Sequence, residues 1–290
     1  MVDVILDTLL DTVKLLPFLF LTYLLMEFLE HRSGNATGRL LSRSGRVGPF
    51  FGGLLGIVPQ CGFSAAAAGL YSGRVITIGT LLSVWLTTSD EMLPILISQR
   101  VSGWFLLRLL AVKLIIGVVA GFAVDAVCSA FRKPEDGGAH IEDICEREHC
   151  HCGDHFALSA LRHTLRIAGF LLAISFALNT LVHFVGEDRI ASLILDRPVI
   201  GNLLAAVVGL IPNCAASVIL TELYLSGVIS VGSMLSGLLV GAGVGLLVLF
   251  RNNRPVRDSV RVLVILFAIG LLCGILTDLT PLGAWIGAGR

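Results

Sequence analysis

Gly56-Ile57-Val58-Pro59-Gln60-Cys61-Gly62-Phe63-Ser64 recurs 153 residues downstream as Gly209-Leu210-Ile211-Pro212-Asn213-Cys214-Ala215-Ala216-Ser217. The same ungapped frame lays Leu70-Tyr71 on Leu223-Tyr224, Val75-Ile76 on Val228-Ile229, Gly79 on Gly232 and Leu82-Ser83 on Leu235-Ser236, giving 11 identities in the 28 positions from 56 to 83. Farther on it pairs Arg108 with Arg261, Gly117 with Gly270, Gly121 with Gly274 and Asp125 with Asp278. Unrelated apolar sequences match by chance at Leu, Val and Ala. They do not match at Pro, Cys, Tyr, Arg and Asp in one frame, so the chain reads as a duplication.

The duplicated unit belongs in a membrane. Of 290 residues, 55% are apolar and 14% charged, where a soluble domain carries roughly 25% charged residues. Apolar runs lie near 12–30, 47–72, 75–98, 103–130, 157–185, 198–225, 228–250 and 259–280, each able to cross a hydrocarbon core of about 30 Å. The fold class is therefore an all-α polytopic membrane protein: residues 1–130 form a first repeat, 131–156 a central loop and 157–290 a second repeat. Twenty-one basic residues balance twenty-one acidic ones and aromatics make up 7%. With neither a basic field nor a stacking platform, nucleic-acid binding is excluded. The N-terminal Met1-Val2-Asp3-Val4, followed by Asp7 and Asp11, lacks the basic region of a cleavable signal, so the first run is expected to remain as a span.

Two topologies are open. If 47–72 and 198–225 each cross the membrane, the halves are parallel. If each is a re-entrant hairpin bent at Pro59 or Pro212, each half has three spans plus a hairpin and the repeats are inverted. Proline breaks the helical ladder, and freed backbone survives at membrane depth only when buried in protein or lining a wet cavity. With the loops at 31–46 and 251–261 inside, the hairpin topology also puts more Lys and Arg in the cytoplasm. Inverted repeats with about ten helical pieces are the expectation, and such repeats commonly enclose a site at their interface.

Polar groups within apolar runs cost several kcal/mol if unsatisfied, so each calls for a reason. Thr87-Thr88-Ser89-Asp90-Glu91 interrupts a run otherwise built of Leu, Val, Ile and Trp. Adjacent helical residues point about 100° apart and share no face, which predicts that the run unwinds here. Unwound carbonyls with the Asp90 and Glu91 carboxylates suit a hard or borderline cation, and such carboxylates can also exchange a metal for protons. Thr88 and Ser89 are counted with them. At the bends, Gln60, Cys61 and Ser64 pair with Asn213, Cys214 and Ser217; thiolates favour zinc, copper or trivalent arsenic, amides manganese or magnesium. Asp125 and Asp278 end matching Gly-x-x-x-Gly-x-x-x-Asp stretches. The acids suit helix capping at an interface, or with Glu222 a proton relay, and the glycines suit close helix approach. Arg108 and Lys113 are expected to pair with these acids or to snorkel to the interface.

Between His140 and His155 twelve of sixteen residues can bind metal, among them Cys145, His149, Cys150, His151, Cys152 and His155. Short Cys/His-rich tracts are metal-binding by composition, but this spacing is not that of a structural zinc finger. A loose, exchangeable site in the reducing cytoplasm is expected.

Ile57–Ser64, Thr87–Glu91, Ile211–Ser217 and Gly241-Ala242-Gly243-Val244-Gly245-Leu246-Leu247-Val248-Leu249-Phe250 before Arg251-Asn252-Asn253 are together similar to the ten-span heavy-metal exporters related to arsenic efflux permeases, also labelled manganese transporters. The resemblance implies efflux of a metal or metalloid across the cytoplasmic membrane and a ten-helix architecture. The function expected is a secondary transporter, not an enzyme, that exports a manganese- or zinc-class cation or an arsenical, with protons as coupling ion and a homodimer as candidate assembly. No tightly bound cofactor is expected, and no Gly-x-x-x-x-Gly-Lys-Ser/Thr motif is present to power transport by nucleotide hydrolysis. Two alternatives remain: an intramembrane lipid-pyrophosphate phosphatase, loosely suggested by Ser42-Arg43-Ser44-Gly45, and a metal-sensing membrane subunit.

Overall fold

The computed structural model describes residues 47–58, 61–89, 92–131 and 198–288, with single positions within 13–24 and 161–180. All regular structure among them is helical: α1 Gly48–Gly56, α2 Cys61–Ser72, α3 Ile78–Thr87, α4 Met92–Ser98, α5 Gly103–Phe131, α6 Pro198–Gly209, α7 Cys214–Leu225, α8 Val231–Val240, α9 Val244–Asn252, α10 Val256–Leu279 and α11 Pro281–Gly287. The duplication is legible in these boundaries. Adding 153 to the ends of α2 and α3 gives the ends of α7 and α8, and the start of α5 becomes the start of α10.

Local sequence sets the starts and stops alike in both halves. Thr77 caps α3 by accepting from the Thr80 N–H at 3.1 Å, and Ser230 caps α8 by accepting from the Ser233 N–H at 3.0 Å, so each hydroxyl satisfies an orphan amide of the first turn. After α2 the chain turns through Arg74 at φ 58°, and after α7 through Gly227 at φ 79°. Val75 N–H then bonds Leu70 C=O at 2.8 Å, and Val228 N–H bonds Leu223 C=O at 2.9 Å, the left-handed helix stop in which glycine is usual.

Within each half, α1 packs on α3 and α3 on α5, as α6 packs on α8 and α8 on α10. These contacts run backbone to backbone over glycine. A Cβ on Gly79 would meet the Gly121 carbonyl oxygen at 2.1 Å, and one on Gly232 would meet that of Gly274 at 2.4 Å. Lipid offers apolar side chains as good an environment as the protein does, so close backbone approach of this kind is what drives association. Leu107, Ile115 and Val119 of α5 and Val264, Leu272 and Leu276 of α10 remain exposed, as suits helices of 29 and 24 residues facing hydrocarbon. By contrast, α8 and α9 together form a 22-residue apolar segment that is mostly covered by protein.

The halves interlock reciprocally. α2 lies against α9 of the other half, α7 lies against α4, and α3 meets α8 at the centre. Trp85, fully buried on α3, donates its indole N–H to the Ser64 carbonyl at 3.1 Å and so ties α3 to α2. The expected runs 75–98 and 228–250 are not continuous helices: the first splits into α3 and α4, the second into α8 and α9. The runs 47–72 and 198–225 are divided, between Gly56 and Cys61 and between Gly209 and Cys214, into pieces of 9 to 12 residues, each at most about 18 Å long and too short to cross alone.

Candidate ion site at the helix breaks

The first break begins where Thr87, Thr88 and Ser89 follow one another at the end of α3. Thr88 leaves the helix at φ −54°, ψ 132°. Its hydroxyl donates back to the Val84 carbonyl at 2.7 Å, the Thr87 hydroxyl donates to Ser83 at 2.9 Å, and the Ser89 hydroxyl donates to the Thr87 carbonyl at 3.1 Å. All three side chains are buried. Each spends its proton on a carbonyl of the helix end, so burial costs little and the hydroxyl lone pairs remain as acceptors. The expected unwinding is therefore present at Thr88 and Ser89, and helix resumes as α4 at Met92.

The second half breaks at the equivalent place by other means. Gly241-Ala242-Gly243 separates α8 from α9, with Gly243 at φ 53°, ψ −140°, a conformation open only to glycine. Sequence reasoning missed this break, although the shift of 153 carries Thr88 and Asp90 onto Gly241 and Gly243.

The two breaks meet the second bend at a cavity of about 30 Å³ whose lining includes Thr88, Ser89, Asn213, Ser217, Gly241 and Gly243. That volume accommodates one or two water-sized groups. Asn213 bends the chain into α7 and caps it, its side-chain oxygen accepting from the Ala215 N–H at 3.3 Å. The C-terminal ends of α3 and α8 both face this space. Helix C-termini carry partial negative charge, and in transporters with broken helices they and unwound carbonyls are the groups that hold cations.

Of the residues singled out from sequence, Thr88, Ser89, Asn213 and Ser217 come together here. Ser64 does not join the lining: it is buried against α9, where a Cβ on Gly245 would lie 2.6 Å from its carbonyl oxygen. Cys61 and Cys214 are the first residues of α2 and α7. Their side chains lie outside the described residues, as do Gln60, Asp90, Glu91 and the loop ligands Cys145, His149, Cys150, His151, Cys152 and His155. Among the described residues no group of three or more His, Cys, Asp or Glu side chains comes together, and the described polar lining of the cavity consists of Thr88, Ser89, Asn213 and Ser217 beside Met92.

Asp125 and Asp278 sit away from this cavity as matching caps. Asp125 accepts from the Gly79 N–H at 2.8 Å and the Thr77 hydroxyl at 2.6 Å, and Asp278 from the Gly232 N–H at 2.9 Å and the Ser230 hydroxyl at 2.7 Å. Each carboxylate thus neutralises the positive N-terminus of α3 or α8. Asp278 also accepts from Asn202. Glu222 is exposed on α7. Lys113 neither snorkels nor sits at an interface: it is fully buried in α5, and its ammonium donates to the carbonyl of Thr88.

A family model described as "Putative, 10TM heavy-metal exporter" matches residues 1–185. The chain belongs to this family. The match covers the first half, the central loop and the start of the second half, in agreement with the resemblance seen in sequence. Membership makes the protein a multi-pass membrane transporter of the metal-exporting kind, with metal as cargo and the bilayer as its surroundings. No curated protein and no solved structure matches the chain.

Proposed function

We propose that the protein exports a divalent transition-metal ion of the manganese or zinc class across the cytoplasmic membrane, driven by protons moving the other way. The convergence of two helix C-termini, the Thr88 and Ser89 oxygens and the Asn213 amide on one small buried cavity favours a cation over an uncharged arsenical. In this scheme the ion is held by oxygens from the first break and the second bend, and Gln60, Asp90, Glu91, Cys61 and Cys214 complete the shell. The two carboxylates take up protons as the metal leaves.

We further propose that the halves are inverted repeats with re-entrant hairpins at Pro59 and Pro212, so that rocking one half against the other exposes the cavity to each side in turn. The tract from His140 to His155 gathers ions on the cytoplasmic side, and Asp125 and Asp278 hold the broken helices rather than carry protons. A homodimer is the assembly proposed.

The decisive test is flux. Proteoliposomes holding the purified protein and loaded with Mn²⁺ or Zn²⁺ should release the ion when a pH gradient is imposed, and the Asp90→Asn, Glu91→Gln double variant should lose at least nine-tenths of that flux while inserting normally. Full flux in the double variant would contradict the proposed ligands, and absence of flux for any divalent metal from wild-type protein would contradict the cargo.

A further inference from the structure

Lys113 is the buried charge that the proposed transport cycle has so far left unused. Its side chain has no accessible surface, and its ammonium donates to the first carbonyl beyond α3, on a residue that lines the cavity. A lysine so far from water within a span is expensive to keep and marks function by default.

The second repeat supplies an internal control. The shift of 153 carries Lys113 to Leu266 on α10, which is also fully buried, and α10 packs on α8 as α5 packs on α3. The packing therefore needs no charge at this position. In the first half an ammonium reaches the broken end of α3, and in the second half an uncharged side chain occupies the corresponding place.

We infer that Lys113 is a tethered counter-cation, which occupies the carbonyl end of α3 when the cavity holds no metal and is displaced when an ion binds. The inference rests on the cation-export reading above. An ammonium and a metal ion compete for the same carbonyl lone pairs, and at low local dielectric their charges repel strongly. Ion entry must push the ammonium off Thr88, and its return helps expel the ion. Lys113 is thus a positioning residue that weakens binding in order to speed release. No covalent bond is made or broken in this exchange.

Three variants test this. Lys113→Leu copies the second repeat, Lys113→Gln keeps a hydrogen-bond donor without charge, and Lys113→Arg keeps the charge. Mn²⁺ affinity is read by equilibrium dialysis of detergent-solubilised protein, and KM and kcat by flux from proteoliposomes. The leucine and glutamine variants should bind Mn²⁺ at least tenfold more tightly and show KM and kcat falling together, whereas the arginine variant should stay near wild type. If leucine fails to yield folded protein by size exclusion, glutamine carries the test. Wild-type affinity and turnover in the glutamine variant, or weaker Mn²⁺ binding, would overturn the inference while leaving the exporter reading intact. Absence of Mn²⁺ binding and flux in wild type would overturn both.

Discussion

The seam between the halves closes in two chemically different ways at two positions the duplication makes equivalent. Tyr71 of the first half donates its hydroxyl to Asp258 of the second at 2.8 Å. The same relation in reverse joins Tyr224 to Phe105, whose rings stack 5.6 Å apart and 8° from parallel. Arg74, at 3.3 Å, and Asn253, at 3.0 Å, also donate to Asp258. The two tyrosine contacts thus join the same pair of repeat positions in opposite order. The backbone of the duplication is kept while one end of the seam has become a polar latch and the other an apolar stack. A transporter that opens to each side in turn needs two closures, and closures of different chemistry can be weighted separately.

The largest effect is expected at the apolar end. Phe105 is fully buried, so Phe105→Ala should cost about 3 kcal/mol, read as a lowered thermal unfolding midpoint in detergent. Little loss would mean that Tyr224 does not depend on its partner. At the polar end, Asp258→Asn removes the charge that gathers Tyr71, Arg74 and Asn253, and should cost about 2 kcal/mol. It should also remove the ion pair that Arg74 makes across the seam. Ion release measured separately from each face of the membrane should shift in opposite directions for these two variants; a shift in the same direction would break the two-closure account. The smallest and most symmetrical effect belongs to the caps. Asp125→Ala and Asp278→Ala should each cost about 1 kcal/mol, and the unfolding shifts should agree closely. A silent Asp125→Ala beside a severe Asp278→Ala would show that the halves are not mechanically equivalent.

Much of the fold was legible because a duplication compares a sequence with itself. The frame that aligns Pro59-Gln60-Cys61 with Pro212-Asn213-Cys214 also reproduces the helix boundaries, and the polar run at 87–91 announces its own break because helix faces cannot share adjacent polar groups. The break at Gly241-Ala242-Gly243 is hidden because hydropathy scores these residues as membrane-compatible, while the backbone depends on a positive φ that only Gly243 supplies. Cross-half contacts were not legible either. Asp258 reads as a residue in a polar loop until tertiary packing brings Tyr71 and Arg74 to it, and Lys113 reads as a span residue that pairs with an acid or snorkels until its ammonium proves to be buried on the Thr88 carbonyl. Sequence named Thr88, Ser89, Asn213 and Ser217, but their convergence depends on how α7 lies against α4.

The central claim is that the first break and the second bend jointly hold the cargo ion, and anomalous scattering from metal-soaked crystals tests it most directly. With Mn²⁺ or Zn²⁺ in the crystal, the account predicts an anomalous peak between the oxygens of Thr88, Ser89, Asn213 and Ser217, beside the end of α8 at Gly241. A peak confined to the tract from His140 to His155, with none between the halves under conditions where the protein transports the metal, would contradict it.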